Sequence, residues 1–413
     1  MRRSEGETST IRMNLYRSII KRAQEIERDT VRILMDLVRT PSFSSKEKEA
    51  MQILGREMEK AGFDEIRIDG LGSIIGRIGN GPRTIAFDGH VDTVEAGDRA
   101  QWNFDPFDPK VEDGKVWGRG TVDQKGGLAA MLSAARIIKE LNLNDMFTVY
   151  FTGTVMEENC DGLCWQYLIK EEKLRPELVI VTEPTNMNIY RGHRGRMEMR
   201  IEVKGRSCHS SVPEHGDNAI YTIARIALEI EKLNGRLRRD QFLGKGSIAV
   251  TGSGSESPSS CAVPEGASLL LDRRLISGET KELAVAEVLE AAKLAGCDNA
   301  QVVVLPFEDA AYTGKVYPAE KYYPTWSLDP NSPFLQSAVN VFSGLFDRVP
   351  PVGLWSYSSN AVAIAGMHGI PCFLLGPGNE LLAHAPNEAC HIEQLSGAAA
   401  FYAAFVAKLN GKM

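Results

Sequence analysis

The sequence predicts an α/β protein: a mixed, mainly parallel β-sheet flanked by helices, with a small α+β unit inserted into it. Three observations carry that expectation. Up to about residue 185, short apolar runs alternate with amphipathic stretches of helical length, the βαβ rhythm of a parallel sheet. Between about 188 and 305 the order becomes strand-helix-strand-strand-helix-strand, that of the ferredoxin-like split βαβ motif. Several apolar runs also stop abruptly at acids or histidines, and ligands of open α/β sheets collect outside the carboxyl ends of the strands.

Taken in order, Ile19, Ile20, Ala23, Ile26, Val31, Leu34, Leu37 and Val38 recur at near-helical spacing, and Thr40-Pro41-Ser42 stops that helix. A second helix runs through Ala50, Ile53, Leu54 and Met58 to Gly62. The strand at 84–87, the helix at 128–141 and the strands at 147–151 and 178–181 follow. Met197 to Val203 alternates strictly, as a half-exposed strand does. A helix at 218–233, strands at 247–251 and 267–272, a helix at 279–294 and a strand at 301–305 complete the insert. The chain then returns through a helix at 333–345, a strand at 372–375 and a closing helix at 392–409. The expected division is therefore 1–187, with a polar tail at 1–12, then an inserted 188–306, then 307–413.

A chain of 413 residues with 43% hydrophobic and 24% charged residues can bury large cores. Its net charge of -7 argues against a general nucleic-acid or anionic-membrane binder. No apolar stretch is long enough to span a bilayer, and the polar start lacks the apolar core of a secretory signal, so a cytoplasmic protein is expected. Met13 stays open as an alternative start. Seven scattered cysteines read as reduced thiols, and Cys160 and Cys164 lack the two-residue gap of a redox or zinc pair.

The chemistry lies at the strand ends. His90 and Asp92 share one face of an extended strand, fit for a metal-binding imidazole oriented by a carboxylate or for a plain His–Asp hydrogen bond. Asp123, among dense glycines before a helix, is either a helix cap or a ligand. Glu157 and Glu158 repel each other unless a cation sits nearby; with one, the first can be a base and the second a ligand, and without one they form a solvated turn. Glu183, after four aliphatic residues, and His384, after a glycine-rich turn, are each weak signals alone. Together they make two histidines and three acids with a spare glutamate, an inventory that fits two divalent metals bridged by one carboxylate. Zinc suits such a mixed site, and cobalt or manganese would also fit.

Gly89-His90-Val91-Asp92-Thr93-Val94, Gly118-Arg119-Gly120 through Asp123-Gln124-Lys125-Gly126-Gly127, Met156-Glu157-Glu158 and Thr182-Glu183-Pro184 resemble the M20 metallopeptidase and amidohydrolase family. That family includes acetylornithine deacetylase, succinyl-diaminopimelate desuccinylase, aminoacylase and glutamate carboxypeptidase. Asp98-Arg99-Ala100-Gln101-Trp102, the segment 317–326 and Ala383-His384-Ala385-Pro386-Asn387-Glu388 are most similar to its selenium-metabolism-linked hydrolase branch. The resemblance runs from about Ile19 over nearly the whole chain and implies a zinc-peptidase-like fold with the insert as a lid.

It also implies roles. His90, Asp123 and Glu183 would hold one metal, and Asp123, Glu158 and His384 the other. Glu157 would be the general base of a water shared by the metals, and Asp92 would orient His90. The Asp123–Gln124 peptide would be cis. His209, in Gly205-Arg206-Ser207-Cys208-His209, would donate to the oxyanion, reaching a partner's site in a homodimer formed through the lid. Arg273 would clamp a substrate carboxylate, with Arg274 or a mere surface charge as the alternatives. Two departures mark the substrate side: Cys261 stands where many relatives have asparagine, and Ser358-Ser359-Asn360 where many have Gly-Thr/Ser-Asp, which makes Asn360 a substrate-binding candidate. The implied activity is hydrolysis of an amide C–N bond in a small N-acyl amino acid or related compound. A di- or tripeptidase of the same family is the alternative, and a metal-dependent binding protein without catalysis stands behind both.

Overall fold

A computed structural model of the chain describes residues 5–413, with side chains from residue 12 onward. The residues expected to form a polar tail are helical from Glu5, while residues 1–4 lie outside those described. The first predicted helix is two, Glu5–Glu25 and Glu27–Val38, with Ile26 leaving helical geometry between them. Tyr16, Ile19 and Ala23 carry the first of these onto the main core, against the closing helix Ile392–Leu409.

The large sheet runs in the order Glu65–Ile68, Ile74–Ile78, Phe147–Thr154, Arg83–His90, Val179–Val181, Cys372–Leu374, Ile189–His193, Trp326–Ser327, with Val352–Trp355 also paired to Ile189–His193. Its four central strands are mutually parallel and its flanks largely antiparallel. The central strands are buried on both faces, which is why they read as continuous apolar runs rather than as alternation. Their register aligns their carboxyl ends: His90 lies opposite Thr154, and Asp88 opposite Val181, itself opposite Leu374. The chain that leaves these ends carries Asp92, Glu157, Glu183 and the loop to His384.

The insert forms its own antiparallel sheet, Ser247–Glu256, Gly266–Leu275, Gly195–Lys204, Gln301–Val304, the ferredoxin-like order. Met197, Met199, Ile201 and Val203 point from it into a separate core with Ile223, Ile226 and Ile230 of the helix Ala219–Arg236 and Val288 of the helix Lys281–Leu294. The chain crosses to this sheet at Arg194 and returns between Tyr323, still paired to it, and Trp326, which rejoins the large sheet. These crossings fall later than the expected 188 and 306. The hydroxyl of Thr325 ties the two crossings, accepting the Gly195 N–H at 2.8 Å and donating to the Leu275 carbonyl at 2.8 Å.

A small third sheet matters to the site. Ala389–His391 pairs with Lys115–Trp117, Ala389 opposite Trp117, and lays the segment after His384 beside the loop that leads to Asp123.

Candidate metal centre

His90 ends an inner strand and is fully enclosed. Its Nδ1 contacts the backbone carbonyl of Asp92 at 2.8 Å, and its Nε2 contacts Oδ1 of Asp123 at 2.9 Å. The other oxygen of Asp123, Oδ2, faces Nε2 of His384 at 3.3 Å, and His384 also meets Glu158 at 3.0 Å. One carboxylate therefore spans two imidazoles, the arrangement a bridging ligand needs. Ligand atoms of His90, Asp123 and Glu158 all lie within 4.8 Å of one another. The peptide Asp123–Gln124 is cis, as the resemblance implied.

Glu157 and Glu183 are buried beside this group. Burial holds the Glu157 carboxyl well above the usual range; His90 opposes this, and Asp161, Glu183 and Glu158 add to it. Burial raises Glu183 and Glu158 likewise. Asp123 goes the other way: burial would raise it, but the bonds to His384 and His90 prevail. Those same bonds, from Asp123 and Glu158, push His384 up to about 10. Four carboxylates thus crowd two imidazoles, and Oε1 of Glu183 is buried with no hydrogen-bond partner among the described residues. An excess of enclosed acid with an orphaned oxygen is the donor set that divalent ions neutralise, so the residues present fit a two-metal group.

The acidic turn is itself held by acids, which the sequence reading missed. Three successive backbone N–H groups donate to buried carboxylates: Met156 to Glu47 at 3.1 Å, and Glu157 and Glu158 to the two oxygens of Asp92 at 3.2 and 3.1 Å. Ser44 donates to Asp92 as well, at 2.7 Å. The Asp92 carboxylate stands 3.4 Å from His90 Nδ1, so it serves the Glu157–Glu158 turn more directly than the imidazole that it was expected to orient, which rests on its backbone carbonyl instead. Burial, and then the Asp92 charge, push Glu47 up to about 8.

A profile of peptidase family M20/M25/M40 matches residues 86–408, most of the chain. The chain belongs to this family. It is 46% identical over 391 residues to the uncharacterized protein YgeY of Escherichia coli K12, covering 94% of this chain and 96% of YgeY. A probable succinyl-diaminopimelate desuccinylase of Staphylococcus epidermidis is 32% identical over 214 residues, 50% of this chain and 52% of the relative. Among solved structures, the fold is similar to that of aminopeptidase PepT from Bacillus cereus, with a TM-score of 0.71 at 22% identity over 93% of this chain and 99% of PepT. It is also similar to YxeP of Bacillus subtilis, described as a dinuclear metal binding peptidase of the M20 family, with a TM-score of 0.69 at 16% identity over 94% and 100%.

In this M20 metallohydrolase the cluster opens into a cleft of about 440 Å³ between the large sheet and the insert. Its insert side is lined by Arg196 and Arg274, its other walls by Tyr357, Ser358 and Asp161. Arg274, not Arg273, is the guanidinium that faces the cleft. Alternation along the Gly266–Leu275 strand puts Arg273 on the side of Leu269, Leu271 and Leu275, inside the insert's own core. There it pairs with Glu279 at 3.0 Å and Glu287 at 3.1 Å, out of substrate's reach. Asn360 is likewise not a cleft residue. It is buried beneath the sheet ends, donating to Asp88 and Thr154 and accepting from Gly162 N–H and Cys164, so its amide has no capacity left for a substrate. His209 lies on an exposed loop of the insert, bonded to Ser211 at 2.8 Å, and does not line this chain's cleft. Cys261 sits on the facing exposed segment, whose carbonyl accepts the Ser210 N–H. Among the described residues no helix is long and apolar enough to cross a membrane.

Proposed function

We propose that this M20 hydrolase cleaves the amide C–N bond of a small N-acyl amino acid or a related compound. The observation that carries the reading is Asp123 spanning His90 and His384 with an enclosed Glu157 beside them. His90, Asp123 and Glu183 would hold one divalent ion, and Asp123, Glu158 and His384 the other. Such ions, zinc by the mixed donor set with cobalt or manganese also fitting, would polarise the scissile carbonyl and acidify a water. Glu157 takes a proton from the attacking water as the new C–O bond forms, then delivers it to the leaving nitrogen as the C–N bond breaks. Its enclosure raises its proton affinity above that of a free carboxylate, the direction that favours a group accepting a proton from water.

Arg274 and Arg196 line the cleft, Arg274 held by Asp272 at 2.8 Å and Arg196 by Glu198, and their remaining N–H groups would receive the substrate's carboxylate. His209 stands outside its own cleft, so its donation to the oxyanion belongs to a homodimer in which one lid serves the other site. The setting proposed is a cytoplasmic dimer acting on small molecules, with neither nucleic acid nor membrane as a partner. A di- or tripeptidase would use the same centre, and its solved relatives give that reading its weight. Assaying N-acyl amino acids, ureido acids and dipeptides side by side separates the two. Glu157→Ala tests the mechanism: metal uptake should persist while turnover falls by about 10²–10⁴-fold. Full retained activity would overturn it.

A further inference from the structure

The two imidazoles of the site are held very differently. His90 is enclosed at the end of an inner strand and braced through its second nitrogen. His384 is 52% exposed, has a left-handed backbone (φ 61°), and its imidazole is held by Asp123 and Glu158, themselves in the centre. Something else must fix where that loop stands.

We infer that the buried pair Arg119–Glu388 is the positioning device for His384 and Asp123, and so for the second metal; this rests on the two-metal reading above. Glu388 is fully buried and every contact of its carboxylate goes to the Asp123 loop. Oε1 accepts the backbone N–H of Val122 at 2.7 Å and of Asp123 itself at 3.1 Å; Oε2 accepts that of Gly120 at 3.0 Å and Nη1 of Arg119 at 2.7 Å. The same guanidinium extends Nη2 toward the backbone carbonyl of His384 at 3.4 Å and packs over the Trp102 ring, 5.1 Å from its centroid. Arg119 precedes Asp123 by four residues, and Glu388 follows His384 by four. The pair thus joins one ligand's amide to the other's carbonyl through two bonds that each span 265 residues of sequence.

The surrounding structure makes the link rigid. The Ala389–His391 strand is paired to Lys115–Trp117, so both partners enter the contact from one small sheet. Asn387 binds the Asn103 N–H at 2.8 Å and donates to the Gln101 carbonyl at 3.0 Å, which pins the other side of the His384 segment. Among the described residues no bond from this pair reaches Glu183, which follows the strand Val179–Val181 by two residues.

The dependence is therefore unequal. An ion at His90 and Glu183 would share Asp123 with the pair but keep two ligands that do not depend on it. The ion at His384 and Glu158 depends on it for His384 and for the seating of Asp123. Calorimetric titration of the metal-free full-length protein with zinc reads this out without any substrate. Wild type should take up two ions. Glu388→Gln, which keeps shape and one acceptor, and Arg119→Lys, which keeps charge but cannot reach both partners, should each weaken one step at least about tenfold and weaken the other, which shares only Asp123 with the pair, at least about threefold less. Activity lost at stoichiometric zinc should return with excess zinc. Both steps weakened alike, or neither weakened, in the variant that folds would overturn the inference, the first outcome marking a general scaffold role. Uptake of a single ion by wild type would overturn the two-metal reading itself, and the inference with it.

Discussion

Replacing Asp92 with asparagine should disturb the base rather than the histidine beside it. Oδ1 of Asp92 accepts the Glu157 N–H, and Oδ2 accepts the Glu158 N–H and the Ser44 hydroxyl. An amide keeps one acceptor oxygen and turns N–H groups toward the other donors, so at least one backbone N–H of the turn loses its partner inside the protein. A hydrogen bond to a charged buried group contributes about 1.5–3 kcal/mol. If the turn must be restored before Glu157 can act, that penalty enters the barrier and lowers kcat about 10–150-fold. His90 keeps its contact to the Asp92 carbonyl at 2.8 Å, because that acceptor is backbone, so metal on the His90 side should stay. The assay is kcat per metal-loaded protein, with metal content measured on the same sample and stability by chemical unfolding. A kcat within twofold of wild type would refute the reasoning. So would a loss of activity explained wholly by lost metal, which would show that the carboxylate acts on the imidazole 3.4 Å away rather than on the turn.

Arg273→Ala should cost about 3–5 kcal/mol of stability by leaving buried Glu279 with the exposed Arg238 guanidinium, at 4.0 Å, as its remaining counter-charge, whereas Arg274→Ala should raise KM for anionic substrates with little change in unfolding; thermal unfolding and KM read together check this. Burial lowers His193 to about 4, where it stays neutral between the Ser359 hydroxyl and the Arg194 carbonyl. A folded value below the unfolded one, ~6.5, means that its stabilising contribution is complete above pH ~6.5 and is lost as pH falls toward 4, by up to about 3 kcal/mol. Urea midpoints at pH 7 and pH 5 should therefore fall more steeply for wild type than for His193→Gln, and parallel pH dependences would contradict it. Gly127→Ala should destabilise by about 1–3 kcal/mol, because a Cβ there lies 2.5 Å from the carbonyl of Thr182, the residue before Glu183; an unchanged unfolding midpoint would show that the helix can shift.

The sequence by itself determined the strand ends and their chemistry. Apolar run lengths, their abrupt stops at His90, Glu157 and Glu183, and the order of elements in the insert are local properties, and they survived folding because the central strands are buried whatever their neighbours. Even the parity that hides Arg273 was present in the chain, shared with Leu269, Leu271 and Leu275, but its partners Glu279 and Glu287 come from the turn and helix that follow, whose packing no local pattern specifies. Asn360 looked like a substrate contact by its place in the chain and is a buried clamp on Asp88, because the tertiary fold sets which side of the sheet ends it reaches. Glu47, Ser44 and Glu388 were unreadable as site residues for the same reason. Each acts by accepting or donating hydrogen bonds at backbone or carboxylate groups far away in sequence, and such pairings exist only once the chain has closed. The ligands are thus written at strand ends, while what holds the ligands in place is decided by which distant segments the fold brings beside them.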